Sequence, residues 1–148
     1  MSPIAPDAVL ASLHHLLVFS LVAVLFAELA LASAAPDAGR LRQLGALDGA
    51  YGMLSMAVVA AGFTRAVYGA KGWVYYAHNE VFWAKIGVFV VIGLLSAVPT
   101  VRLIRWRKRG VVPEVAAMRA LRRWMLAEAV LIALIPVLAA LMARGIGY

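Results

Sequence analysis

Four long apolar runs constrain this chain more than any other feature of its sequence. They cover approximately residues 8–34, 44–68, 79–104 and 117–143. Each run reaches the length of about 20 residues that a helix needs to cross the bilayer core. Because backbone groups in lipid must bond to one another, each run is predicted to be helical. The links between the runs are short, which predicts an all-α, antiparallel four-helix bundle forming one integral membrane domain over residues 1–148.

The composition excludes several classes of protein. Hydrophobic residues make up 65% of the chain and charged residues only 14%, which is too apolar for a soluble domain. The net charge of +7 does not predict nucleic-acid binding, because the basic residues lie beside the apolar runs as topology signals do. The absence of cysteine excludes disulfides, thiolate metal sites, iron–sulfur clusters and thioether-linked haem.

The basic residues predict how the chain is oriented in a bacterial inner membrane. Links rich in Lys and Arg stay on the cytoplasmic side, so the first and third links are expected there. Both termini and the second link are then periplasmic, and anionic lipid headgroups are the expected partner of the third link. The basic residues of the first and third links are Arg40, Arg42, Arg102, Arg105, Arg107, Lys108, Arg109, Arg119, Arg122 and Arg123.

The second link and its flanks, residues 65–85, combine aromatic and charged residues. Trp and Tyr collect at membrane surfaces because their rings are apolar with one polar edge. Arg65 and Lys85 fall inside the flanking helices, where a charge is costly unless it has a partner or a function. They are expected to attract an anionic ligand. The alternative is that they extend to the headgroups while the aromatic residues form only an interfacial belt.

Two adjacent histidines near the start of the first helix are candidate metal ligands. His14 and His15 point about 100° apart on a helix, so only one of them is expected to face the bundle interior. An inward imidazole at that depth suits the axial ligand of a b-type haem, and His78 is a third candidate. The alternative is an interfacial histidine bonded to a carbonyl group or to water. The complete set of predicted haem-binding residues is His14, His15, Arg65, Lys71, Tyr75, Tyr76, His78, Trp83 and Lys85.

Three acidic residues fall in the half of the bundle predicted to be cytoplasmic. Asp48 and Glu128 are expected to form ion pairs with the basic residues near them. Glu28 has no close basic neighbour in its own helix. Since buried acids in membranes often carry protons, Glu28 is a candidate proton relay.

Two resemblances follow from particular motifs. One motif set resembles an uncharacterised family of small bacterial membrane proteins, a domain of unknown function, and implies a four-helix inner-membrane protein without indicating a reaction. A looser similarity, through Leu13-His14 and Trp83-x-Lys85, is to the HemJ-type protoporphyrinogen oxidases, which bind b-type haem. The first set comprises Asp48-x-x-Tyr51-Gly52, Gly62-x-x-Arg65-x-x-Tyr68-x-x-Lys71-Gly72-x-x-Tyr75-Tyr76-x-x-Asn79-x-x-Phe82-Trp83-x-Lys85, Ser96-x-x-Pro99-Thr100 and Trp106, with Leu13-His14-His15 and Glu28.

The leading functional hypothesis is therefore an inner-membrane protein that binds haem b and has a redox role. It would transfer electrons or act as a haem-dependent oxidoreductase on a hydrophobic substrate. The first alternative is a small ion- or proton-coupled transporter or channel subunit, with Arg65, Glu80, Lys85 and Glu28 lining a pathway. The second is a non-catalytic membrane scaffold that forms homo-oligomers through small-residue helix faces.

Overall fold

The computed structural model describes residues 4–147, with side chains described from residue 7. This part of the chain contains helices and no strands. Four of the helices are long and apolar enough to cross a membrane, and one short helix lies between the second and third of them. The all-α, four-span prediction is therefore confirmed. In chain order the helices are α1 (Ile4–Ser33), α2 (Ala38–Tyr68), α3 (Gly72–Ala77), α4 (Glu80–Arg109) and α5 (Val115–Ala143).

All four long helices extend beyond their predicted limits at one end, and α2 and α4 extend furthest, in each case to a capping residue. α2 begins at Ala38 rather than near residue 44, because the Asp37 carboxylate accepts a hydrogen bond of 2.8 Å from the Arg40 backbone N–H. α4 continues past residue 104 to Arg109 and ends at Gly110. The φ angle of Gly110 is +63°, a left-handed conformation that glycine adopts without steric cost.

The four long helices form a closed ring in the order α1, α2, α4 and α5. Each packs against two neighbours, and within residues 4–147 the backbones of α1 and α4, and those of α2 and α5, do not approach each other closely. The main core lies in the half of the bundle next to the first and third links. Its buried residues are Leu21, Leu25, Leu29, Ala32, Leu41, Leu44, Tyr51, Val58, Leu103, Met118, Leu121 and Met125.

The outer surface of the bundle carries large apolar side chains along its length. Leu16, Phe19 and Phe26 project outward from α1, and Leu94 does so from α4. A soluble protein would not expose so many large apolar side chains to water, but lipid solvates them well. The structure thus supports a multi-pass membrane protein.

Hydrogen bonds join the short α3 segment to the end of α5. Asn79 is fully buried and caps α4 by accepting a 2.9 Å hydrogen bond from the Phe82 N–H. Its side-chain amide donates to the Ile146 carbonyl at 3.3 Å, and the Tyr75 hydroxyl donates to the Met142 carbonyl at 3.0 Å. These bonds place the second link directly over the end of the bundle.

The start of α1 is joined to the same end of the bundle. α1 begins at Ile4, so Asp7 lies within its first turn. The Asp7 carboxylate accepts a 3.3 Å hydrogen bond from the Ala70 backbone N–H in the second link. We call this end of the molecule the α3 end.

Candidate functional site

His14 is the histidine that faces the bundle interior. Its ring is partly buried against Gly62 of α2, where a Cβ atom would lie only 3.3 Å from His14 Cε1. The Nδ1 atom of His14 is buried and has no hydrogen-bond partner among the described residues. His15 is exposed on the outside of the bundle, and its Nδ1 donates to the Ala11 carbonyl at 2.6 Å. The two adjacent histidines therefore have different environments, as the helical geometry predicts.

Arg65 and Lys85 lie near His14 on antiparallel helices. The charges of both residues act on the His14 ring, and the charge of Arg65 also acts on Lys85. Both side chains are partly buried, and the Nε atom of Arg65 is buried with no hydrogen-bond partner in residues 7–147. The structure thus brings together three of the predicted site residues, His14, Arg65 and Lys85, which we call the outer cluster.

No acidic side chain neutralises the outer cluster. Within residues 7–147 the one ion pair joins Arg40 to Asp37, at the other end of the bundle. The Lys85 ammonium lies 5.5 Å from the centre of the Phe82 ring, a contact that does not remove its positive charge. Two cations beside apolar helix faces favour a ligand with negatively charged groups.

Apart from His15 on α1, the other predicted haem-binding residues lie in or beside α3. Lys71 is exposed and donates to the Tyr75 hydroxyl at 3.1 Å. His78 is exposed and its Nδ1 donates to the Val74 carbonyl at 2.9 Å. The rings of Tyr76 and Trp83 each lie 5.4 Å from that of Phe82, measured between ring centres. These residues form an aromatic layer over the α3 end.

The three histidines do not form a common metal site. Among the described residues, no group of three His, Cys, Asp or Glu side chains has an arrangement that could hold a metal ion. His15 points away from the interior, and His78 bonds within the α3 segment. His14 is the one histidine of the three whose ring faces the bundle interior.

A second polar group, which we call the inner cluster, lies among the buried core residues. It consists of Glu28 of α1, Asp48 and Tyr51 of α2, and Glu128 of α5. Glu28, Tyr51 and Glu128 are 2%, 4% and 1% exposed. The charges of Asp48 and Glu128 act on Glu28, and the Tyr51 hydroxyl faces the Glu128 carboxyl. The structure therefore brings the three acids together.

The ion pairs predicted for Asp48 and Glu128 are wrong. Asp48 accepts a 2.8 Å hydrogen bond from the Thr100 hydroxyl of α4, and the Arg107 charge acts on it without forming an ion pair. Glu128 lies beside Tyr51 instead of a basic residue. The prediction failed because it considered only neighbours along each helix, whereas these side chains point across the bundle.

Sequence reasoning overlooked Tyr51, Thr100 and Gly62 as parts of these clusters. Tyr51 follows Asp48 by three positions, so a helix places both on one face, and this spacing was a usable signal. Gly62 follows Tyr51 by about three helical turns and lies on the same side of α2. No comparable signal in the sequence connects Thr100 with Asp48, because they lie on different helices.

A pocket of about 200 Å³ lies between α2 and α4, beside the inner cluster. Asp48 and Tyr51 form part of its wall, so the pocket adjoins the inner cluster. Each of the two helices contributes one glycine and one serine to the wall, and these small side chains leave the space open. Its lining residues are Asp48, Tyr51, Gly52, Ser55, Phe89, Ile92, Gly93, Ser96 and Thr100.

Comparison with known proteins identifies a family but no reaction. A family model described as "Predicted membrane protein (DUF2214)" matches residues 6–147. No curated protein and no solved structure matches the chain. The comparisons do not show the similarity to HemJ-type oxidases.

Proposed function

The chain belongs to the DUF2214 family of membrane proteins of unknown function, and we propose that it binds b-type haem at the outer cluster. His14 would hold the haem iron, and Arg65 and Lys85 would hold its propionates. The protein is a multi-pass component of a bacterial inner membrane, with the α3 end on the periplasmic side. Bound haem supplies one-electron chemistry, for electron transfer or for oxidation of a hydrophobic substrate.

The single observation that carries this proposal is an inward imidazole beside two unpaired cations. Haem combines a flat apolar ring, two carboxylates and an iron that accepts imidazole. The outer cluster offers the matching groups: the partly buried imidazole of His14, and the positive charges of Arg65 and Lys85. These residues lie outside the main core cluster, in the part of the bundle with fewer buried side chains.

A second candidate function uses the same cations for a different anion. Arg65 and Lys85 suit any ligand with a carboxylate or a phosphate, as in a small anion transporter. The pathway considered for that alternative also included Glu80 and Glu28. Glu80 is exposed, and Glu28 lies in the inner cluster, so these four residues do not share one site.

The test is the absorption spectrum of purified protein expressed with ample haem. We expect a Soret band in the wild type that His14→Ala abolishes or strongly shifts. His15→Ala is the matched control, because His15 is the same residue type one position away but faces outward. It should leave the band nearly intact.

Two outcomes contradict the haem proposal. The first is a wild-type protein that is colourless after expression with ample haem, which leaves the anion transporter as the favoured function. The second is a Soret band that His14→Ala leaves unchanged, since the iron would then have a different axial ligand.

A further inference from the structure

The inner cluster contains ionisable side chains that the proposed haem site does not use. Glu28, Tyr51 and Glu128 come from three helices and are almost completely buried, while Asp48 is partly exposed. In a membrane-spanning bundle such residues are costly unless they are paired or functional. This cluster is therefore the strongest candidate for a second site.

The buried polar atoms of the inner cluster have too few partners. One carboxyl oxygen of Glu28, one of Glu128 and the Tyr51 hydroxyl have no hydrogen-bond partner in residues 7–147. Tyr51 faces the Glu128 carboxyl, yet the geometry falls short of a hydrogen bond. A buried hydroxyl normally has a hydrogen-bond partner. The Tyr51 hydroxyl is almost fully buried, points at the carboxyls and has none, which indicates that the cluster binds an additional species.

The charges of the inner cluster indicate what that species is. Arg107 acts on Asp48, but no basic residue among those described acts on Glu28 or Glu128. Two carboxylates whose charges act on each other in an apolar interior repel, and a shared proton removes that repulsion. The described residues have no metal-binding arrangement, which favours a proton over a metal ion.

We propose that the inner cluster is a proton-binding site that exchanges its proton through the pocket between α2 and α4. Asp48 is the entrance, because it is partly exposed and lines that pocket. Tyr51 also lines the pocket and interacts with all three carboxyls. A hydroxyl both donates and accepts, so when the Tyr51 hydroxyl moves within hydrogen-bond distance of both groups it passes a proton from the Glu128 carboxyl to the Asp48 carboxylate, with only O–H bonds formed and broken.

This site does not depend on haem. A proton held among Glu28, Asp48 and Glu128 needs no ligand at the outer cluster, and the test below requires no bound cofactor. A colourless protein would contradict the haem proposal and leave the proton site unaffected.

The test is infrared spectroscopy of the full-length protein in lipid across a pH titration. We expect a carboxylic-acid C=O band that persists at neutral pH in the wild type and decreases in both Glu28→Gln and Glu128→Gln. Glu114→Gln is the matched control: Glu114 is exposed in the link before α5, so the same substitution there should leave the band unchanged. Tyr51→Phe should keep the band but slow its loss severalfold after a jump to alkaline pH.

Labelling the wild type with carboxyl-¹³C glutamate guards against variants that fail to fold. The label should shift the band and so assign it to glutamate without any substitution. The proposal is overturned if the wild type shows no such band at neutral pH, or if the label does not shift it. It is also overturned if sodium ions remove the band at constant pH, because the occupant would then be a metal cation.

Discussion

Neutralising the two cations of the outer cluster is the most direct test of an anion site. The perturbation is the double substitution Arg65→Gln and Lys85→Gln, which removes both charges while keeping side chains of similar length. Lys108→Gln with Arg109→Gln is the matched control. That pair also combines one Arg with one Lys, but both residues are exposed at the opposite end of α4.

The expected magnitude follows from how the two pairs are solvated. A hydrogen bond to a charged group contributes about 1.5–3 kcal/mol. Arg65 and Lys85 are only partly buried, so we take the lower figure for each. Together the two substitutions should weaken anion binding by about 3 kcal/mol, which raises the dissociation constant about a hundredfold. The control charges lie in water, where salt screens them within about 10 Å. The control should therefore change the affinity only slightly.

The assay is a haemin titration of purified apoprotein in detergent, followed in the Soret region at low and at high salt. We expect the loss in the outer-cluster variant to persist at high salt, because partly buried charges are weakly screened. Any loss in the control should disappear there. Equal losses in both double variants would refute the reasoning, since they would indicate general attraction by positive charge.

Two further predictions follow from the α3 end and from the charge distribution. Asn79→Ala should lower the free energy of unfolding in detergent by about 1–3 kcal/mol, because it removes the buried side-chain cap of α4 and the hydrogen bond to the Ile146 carbonyl. Asp37→Ala, at an exposed helix cap, should cost less, and an equal or larger effect there would contradict this account. A reporter that is active only in the periplasm should be active when fused after Tyr148. A reporter that is active only in the cytoplasm should be active when fused in the third link. The reverse pattern would contradict the predicted orientation.

The sequence predicted the four apolar spans because the bilayer imposes a minimum apolar length on every span. It also predicted that only one of His14 and His15 would face inward, since this depends on helix geometry alone. What it did not predict was how each helix is rotated about its axis. That rotation directs Asp48 and Glu128 across the bundle instead of toward nearby arginines, and it depends on packing among all four helices.

The two clusters lie too far apart to share one ligand. His14 and Glu28 are on the same helix, and the 14 positions between them correspond to about 21 Å at 1.5 Å per residue. Leu21 and Leu25, both in the buried core, lie between them on α1. Sites separated by more than about 10 Å without shared partners behave almost independently. The bundle therefore keeps the cations and the carboxyls in separate halves. An anion bound at the α3 end neither changes the protonation of Glu28 and Glu128 nor depends on it.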